Sequence, residues 1–331
     1  MPALAKARLF RKGKVYVDMT VFLQAAGSIL SIALMIALGW QLAQRGWFGG
    51  DRPQLLAKLV TTVSLPTMMI WNLMSHFDRT ALLGLGSGLV VPVLSMALSL
   101  AIGEGWARAI GVPRQRKGVF CSMFLVSNAI FIGLPVNLAL FGEVSIPYVL
   151  LYYVANTTFL WTVAVQLIAG DGGKGGAAKL DLATVKRILT PPLLGFLLAM
   201  LLILLGLRLP AFVLDTCRYL GAMTTPLSML FIGIAISSVK LSGIRVDREM
   251  ISVLLGRFVV APLTIVALNK LFPMPELMFQ VFVVQAAMPV VTQTAIIAKA
   301  YGADERYAAV LTTVSTLLAM LVIPVYRWLL V

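Results

Sequence analysis

The sequence predicts an all-α polytopic membrane protein of ten transmembrane helices, built as two inverted five-helix repeats with crossed, proline-broken helices 4 and 9. Three observations predict it. Of the 331 residues, 60% are hydrophobic and only 12% charged, against roughly 25% charged in a soluble domain. Apolar runs of about 20 residues, the length that crosses a bilayer as a helix, recur along the chain. Two of these runs are interrupted at corresponding places by Asn, Gln, Thr, Gly and Pro, which hydrocarbon-exposed helices do not accommodate.

In chain order, residues 1–18 form a basic tail with Lys6, Arg8, Arg11, Lys12 and Lys14 and no apolar period. The run that follows is long enough to continue as a full span, which argues against a cleaved signal peptide. The tail is read either as lying ahead of the native start, with Met19 first, or as tolerated. Residues 19–169 form the first five-helix repeat, with spans at 20–42, 54–74, 81–102, 118–141 and 146–169. Residues 170–190 form a linker containing GDGGKGGAAK, flexible by composition. Residues 191–331 form the second repeat, with spans at 191–208, 212–239, 250–271, 276–299 and 307–329.

Orientation follows from the basic residues. One set of loops carries Arg45, Arg52, Arg108, Arg114, Arg116, Lys117, Lys174, Lys179, Lys186, Arg187, Lys240, Arg245, Arg248, Lys299 and Arg306, fifteen in all. The other carries Arg79, Arg208, Lys270 and Arg327, which is four. The first set, with the linker, is therefore expected in the cytoplasm, in a bacterial cytoplasmic (inner) membrane. This also accounts for the net charge of +14 without invoking nucleic acid. The basic tail, on the outer side, runs against the rule.

The halves resemble each other. LVTTVSLPTMMIWNLM (59–74) aligns with YLGAMTTPLSMLFIGI (219–234), matching Pro66 to Pro226; LFGE (140–143) aligns with AYGA (300–303), matching Gly142 to Gly302. LVVPVLSMAL (89–98) is similar to FVVAPLTIVAL (258–268). Five spans is an odd number, so the second copy enters the membrane upside down, as in the inverted repeats of many secondary transporters.

The candidate site lies in the interrupted stretches, SNAIFIGLPVN (127–137) and QAAMPVVTQT (285–294). Pro135 and Pro289 each remove a backbone donor and crowd the preceding turn. If both helices break near mid-membrane and cross, half-helix N-termini meet there, and such ends bind anions without a charged side chain. The other reading is that the prolines only kink two packed helices. Gly133, Pro135, Pro289, Pro66 and Pro226 are the expected structural residues of the crossing and its neighbours. Asn128, beside Ser127, is placed to donate to a carboxylate; Thr292, Gln293 and Thr294 flank the second crossing; Asn156 sits midway along the fifth span. Ser64, next to Pro66, is a further candidate, with local backbone bonding as its other reading.

Several chemistries are excluded. No Asp, Glu, Lys or Arg is expected near the centre of a span; Lys58, Asp215, Arg218, Arg257 and Lys270 are read as lying near ends, where long side chains reach the interface. A proton antiporter with a carboxylate relay is not indicated, and no constellation for hydrolysis or group transfer is visible. His76 stands alone, and Cys121 and Cys217 form no CxxC pair, so neither metal nor other cofactor is expected.

ALGWQLAQRGWF (37–48), LLAKLVTTVSLPTMMIWNL (55–73), SNAIFIGLPVNLALFGE (127–143) and the ending QAAMPVVTQTAIIAKAYGADERYAAVLTTVSTLLAMLVIPV (285–325) resemble the auxin efflux carrier family, whose bacterial branch is malonate- and malate-permease-like. The resemblance covers about residues 19–330. It implies inverted five-helix repeats, a scaffold and a transport domain moving by an elevator-like shift, and a carboxylate held at the crossing by the residue matching Asn128. The crossing prolines carry over to Pro135 and Pro289, and a polar residue of the fifth span to Asn156. The resulting expectation is a secondary transporter of small organic anions in the lipid bilayer, with a homodimer through scaffold helices an open expectation. The alternative is a sodium- or proton-coupled ion exchanger of the same fold, and a transporter-like sensor or membrane enzyme is a third reading.

Overall fold

The computed structural model describes residues 19–48, 52–79, 86–173, 189–237 and 246–330. The basic tail (1–18), most of the linker with its Lys174, Lys179, Lys186 and Arg187, and the basic Lys240 and Arg245 lie outside the described residues.

Described residues are helical throughout, with one isolated antiparallel bridge. The chain runs α1 (Met19–Gln44), then α2, which comprises Arg52–Leu59, a π-helical turn at Val60–Ser64 and Leu65–His76. It continues through α3 (Val90–Ile110), α4 (Lys117–Leu125), α5 (Gly133–Phe141) and α6 (Glu143–Asp171, with a π turn at Leu160–Ala164). After the linker come α7 (Pro191–Leu204), α8 (Ala211–Ser237) and α9 (Arg248–Leu271, with a π turn at Gly256–Val260). The chain closes with α10 (Glu276–Ala286), α11 (Gln293–Tyr301) and α12 (Glu305–Leu329).

Among the described residues, five helices are long and apolar enough to cross a membrane: α3, α6, α8, α9 and α12. Their outer faces are apolar as well. Leu30, Leu34 and Leu38 on α1, Leu194, Leu198 and Leu201 on α7, and Leu317, Leu321, Val325 and Trp328 on α12 are all exposed. Rows at i and i+4 lie on one side of a helix, so these are stripes that only lipid solvates without cost.

Two bundles are distinguishable. In the first, α1 packs along the Thr224–Ser237 part of α8, while α7 and the Ala211–Ala222 part of α8 pack on Leu65–His76 of α2. Glycine makes these contacts close. A Cβ on Gly233 would stand 2.0 Å from the Ile36 carbonyl, and one on Gly39 2.3 Å from that of Leu230. In the second bundle α4 lies between α3 and α6, α9 packs on α3 and α10, and α11 packs on α12. The bundles meet where α1 contacts α5 and α12.

Two of the three π turns among the described residues have a local cause. Pro66 and Pro262 follow them, and a proline ring clashes with the carbonyl four residues back; a widened turn relieves the clash. For Pro262 that carbonyl is Phe258, and the Tyr326 hydroxyl donates to it. Gly142 and Gly302 close α5 and α11 at positive φ (74° and 79°), which glycine adopts without the Cβ cost.

Candidate functional site

The site is built where two pairs of helices stop and restart. α4 ends at Leu125 and α5 begins at Gly133; α10 ends at Ala286 and α11 begins at Gln293. The two connecting segments meet, where the crossing is expected, at one isolated antiparallel bridge, Ser127 with Val290. The Asn128 amide donates to the Pro289 carbonyl at 2.8 Å, and the Val290 amide donates to Ser315 Oγ at 3.1 Å. Side chains complete the pairing that unwinding leaves open. Asn156 Oδ1 accepts from the Ser127 amide and its Nδ2 donates to the Ser127 carbonyl, both at 2.9 Å. Ser127 Oγ donates to the Gln285 carbonyl at 3.1 Å, and Gln285 Nε2 donates to the Ala129 carbonyl at 3.2 Å.

Pro289 lies in the unwound segment. Pro135 instead sits in the first turn of α5, and the open segment is N-terminal to it. A first-turn amide has no helical partner to lose, so Pro135 starts this half-helix. Gly133 provides room: a Cβ there would meet Gln285 Oε1 at 2.4 Å.

Arg257 corrects the sequence reading. It was expected near a membrane edge; it is wholly buried and reaches the crossing from the π turn of α9. Its guanidinium donates to the carbonyls of Phe124 (2.8 Å) and Met123 (3.4 Å) at the end of α4, and of Ala286 (2.6 Å) and Met288 (3.3 Å) at the end of α10. The first three are carbonyls that a helix C-terminus leaves without partners, where its dipole is negative; Met288 lies in the unwound segment just beyond. Position along α9 put Arg257 near an end; the depth at which α4 and α10 stop, which one sequence does not give, made it central.

The opposite ends differ. α5 and α11 both start at the crossing, and neither has an acidic residue in its first turn. The described ion pairs, His76–Glu143, Arg108–Glu104, Lys117–Glu104, Arg116–Asp304 and Lys299–Glu305, are at helix ends or in connections. The crossing therefore holds two positive helix ends and one buried cation, with no carboxylate among its described neighbours.

A cavity of about 240 Å³ opens beside it, with Ser127, Asn128, Asn156 and Gln293 in its wall. Asn128 is buried, and neither its Oδ1 nor its Nδ2 has a hydrogen-bond partner. An amide left this way costs free energy unless something else binds it. Thr61, Tyr153, Thr157 and Trp161, none singled out from sequence, share the wall. Thr61 and Trp161 belong to the π turns of α2 and α6, an association of π turns with sites seen widely. The remaining candidates fall elsewhere. Ser64 is buried one turn beyond Thr61. Thr292 donates to Gln293 Oε1 at 3.3 Å, and Thr294 is buried with an unpartnered hydroxyl. Pro66 and Pro226 lie in the first-bundle helices, Pro66 against Gly195 of α7.

A mostly helical chain with apolar outer faces and a polar, interrupted centre is a polytopic membrane protein. The chain belongs to a family of membrane transport proteins, that of the auxin efflux carriers, whose family model matches residues 25–327. It is similar to an uncharacterized transporter of Methanothermobacter thermautotrophicus, 25% identical over 311 residues, covering 92% of this chain and 98% of that one. An uncharacterized transporter of Methanocaldococcus jannaschii is 24% identical over 312 residues, covering 91% and 97%.

Proposed function

We propose that this transporter moves small organic anions, mono- or dicarboxylates of malonate-, malate- or auxin-like chemistry, and holds the carboxylate at the crossing. The observation that carries the reading is the unpartnered side-chain amide of Asn128 in the cavity wall, beside two acid-free helix N-termini. Backbone donors at such ends stabilise negative charge, and Asn128 Nδ2 supplies a donor of fixed position. The apolar part of the substrate would lie along Leu160, Trp161 and Phe131 in the same wall.

The ten-span arrangement in two inverted repeats belongs to this proposal. Ser95 and Thr264, which lie in the similar segments 89–98 and 258–268, touch each other hydroxyl to hydroxyl, as residues beside a two-fold axis do. Pairing of α1 with α8 and of α7 with α2 is the exchange expected of such an axis. The bundle holding the crossing would move against α1, α2, α7 and α8 in an elevator-type shift. The cavity extends to Thr190, Pro191 and Pro192, next to the linker, so it would face the cytoplasm if the linker does, in the inner membrane of a bacterium.

A thermal-shift titration of the purified protein tests the binding half. Malonate or malate should raise the unfolding temperature in a saturable way, and the corresponding diamide should not. Equal stabilisation by acid and amide, or stabilisation by amines alone, would reject the anion site.

A further inference from the structure

The sequence alone does not say whether a mobile cation drives transport, and the arrangement around Arg257 bears on this. Carbonyl oxygens from unwound backbone and from half-helix C-termini are how a carrier of this build would coordinate a cation. Here four such oxygens, those of Met123, Phe124, Ala286 and Met288, converge from both interrupted helices, and all four accept from the Arg257 guanidinium. The group is fully buried, and no described ion pair includes it. A buried charge without a counter-charge is costly; here the negative ends of two helices offset it.

We infer that Arg257 is a tethered cation: its guanidinium occupies the carbonyl cluster that a coupling sodium or potassium ion would need, so the crossing carries its positive charge permanently. Arg257 is a positioning residue. It holds the ends of α4 and α10 together from behind, while Asn128, whose backbone N–H donates to the carbonyl of Pro289, the residue after Met288, lines the cavity. Two consequences follow. Substrate uptake needs no cation bound at the crossing. The site also prefers anions, because a fixed charge in low-dielectric surroundings acts strongly over the few residues that separate it from Asn128. The guanidinium suits this post better than an ammonium, since its planar fork serves several acceptors at once.

The inference rests on the anion-transport reading for its flux test, and a second readout stands apart from transport. In proteoliposomes, wild-type carboxylate uptake should change less than about twofold when sodium is replaced by potassium or choline at constant ionic strength, since no charge-assisted contact is lost. Arg257→Ala should lose at least about tenfold in choline, the scale of losing such contacts, and recover in part with methylguanidinium or sodium. Independently, methylguanidinium should raise the unfolding temperature of Arg257→Ala and leave that of wild type unchanged. Saturable sodium dependence of wild-type uptake, or an Arg257→Ala protein whose stability ignores methylguanidinium and sodium, would overturn the inference. If Arg257→Ala does not fold, Arg257→Lys decides: uptake that persists in choline, or is lost there and restored by sodium, supports the tethered cation, and uptake lost in choline that sodium does not restore refutes it. A wild type that moves no carboxylate but whose Arg257→Ala variant is stabilised by methylguanidinium would reject the substrate and keep the tethered cation.

Discussion

Asn128 and Asn156 differ in what their amides already hold. Asn156 satisfies both backbone groups of Ser127, whereas Asn128 holds nothing with its side chain. Each buried backbone group left unpaired costs about 1–3 kcal/mol. Asn156→Ala should therefore lower stability by about 2 kcal/mol or more, read as a lower unfolding temperature in detergent. Asn128→Ala removes an unsatisfied group and should leave that temperature unchanged or slightly raised while abolishing carboxylate binding. The reverse pattern would exchange the two roles. At this scale the sequence singled out Asn128, because an Asn among Gly and Pro within an apolar run has few bland explanations, and the structure puts it in a cavity wall with its side chain unpartnered. It marked Asn156 only as polar and central, since its partner Ser127 is 29 residues away. It misjudged Arg257, whose partners are 29 to 134 residues distant and became visible only once the ends of α4 and α10 were located together.

At the scale of elements, apolar run length marked the helices, and composition marked where two of them open. The three π turns were not legible, because one extra residue per turn leaves the hydrophobic pattern nearly unchanged. The point at which α5 restarts was also hidden, since proline both ends helices and begins them. The tight contact between α1 and α8 gives an element-scale prediction. Because the Gly233 position faces backbone atoms of Ile36, Gly39 and Trp40, no side-chain movement can admit a methyl group. Gly233→Ala should push the helices apart and cost about 1–3 kcal/mol, the range for overpacking, seen as reduced yield of monodisperse protein and a lower unfolding temperature. Gly105, with open space around it, should accept Ala without loss.

At the scale of the molecule, the two bundles are joined differently at their two ends. Away from the linker, α2 and α6 meet through His76 Nε2 and Glu143 Oε2 at 3.5 Å, supported by Asn72 Nδ2 donating to the Glu143 carbonyl at 3.3 Å. Beside the linker, the cavity opens between Thr61, Thr190 and the crossing. Native Cys121 and Cys217 are both buried, so an introduced thiol can be read against low background. Thr190→Cys should react with a membrane-impermeant maleimide in inside-out vesicles and not in right-side-out vesicles. Glu143→Gln weakens a half-exposed pair worth under about 1 kcal/mol. It should hardly change stability, but it should lower labelling at Thr190→Cys by shifting the population toward the opposite opening.

The most direct test of the carboxylate site at the crossing is uptake of radiolabelled carboxylates into proteoliposomes, comparing wild type with Asn128→Ala, each with and without sodium and pH gradients. Wild type should show saturable uptake of a small carboxylate that does not depend on sodium and is lost in Asn128→Ala. Sodium or proton flux with no carboxylate moving, or equal carboxylate uptake by both proteins, would contradict it.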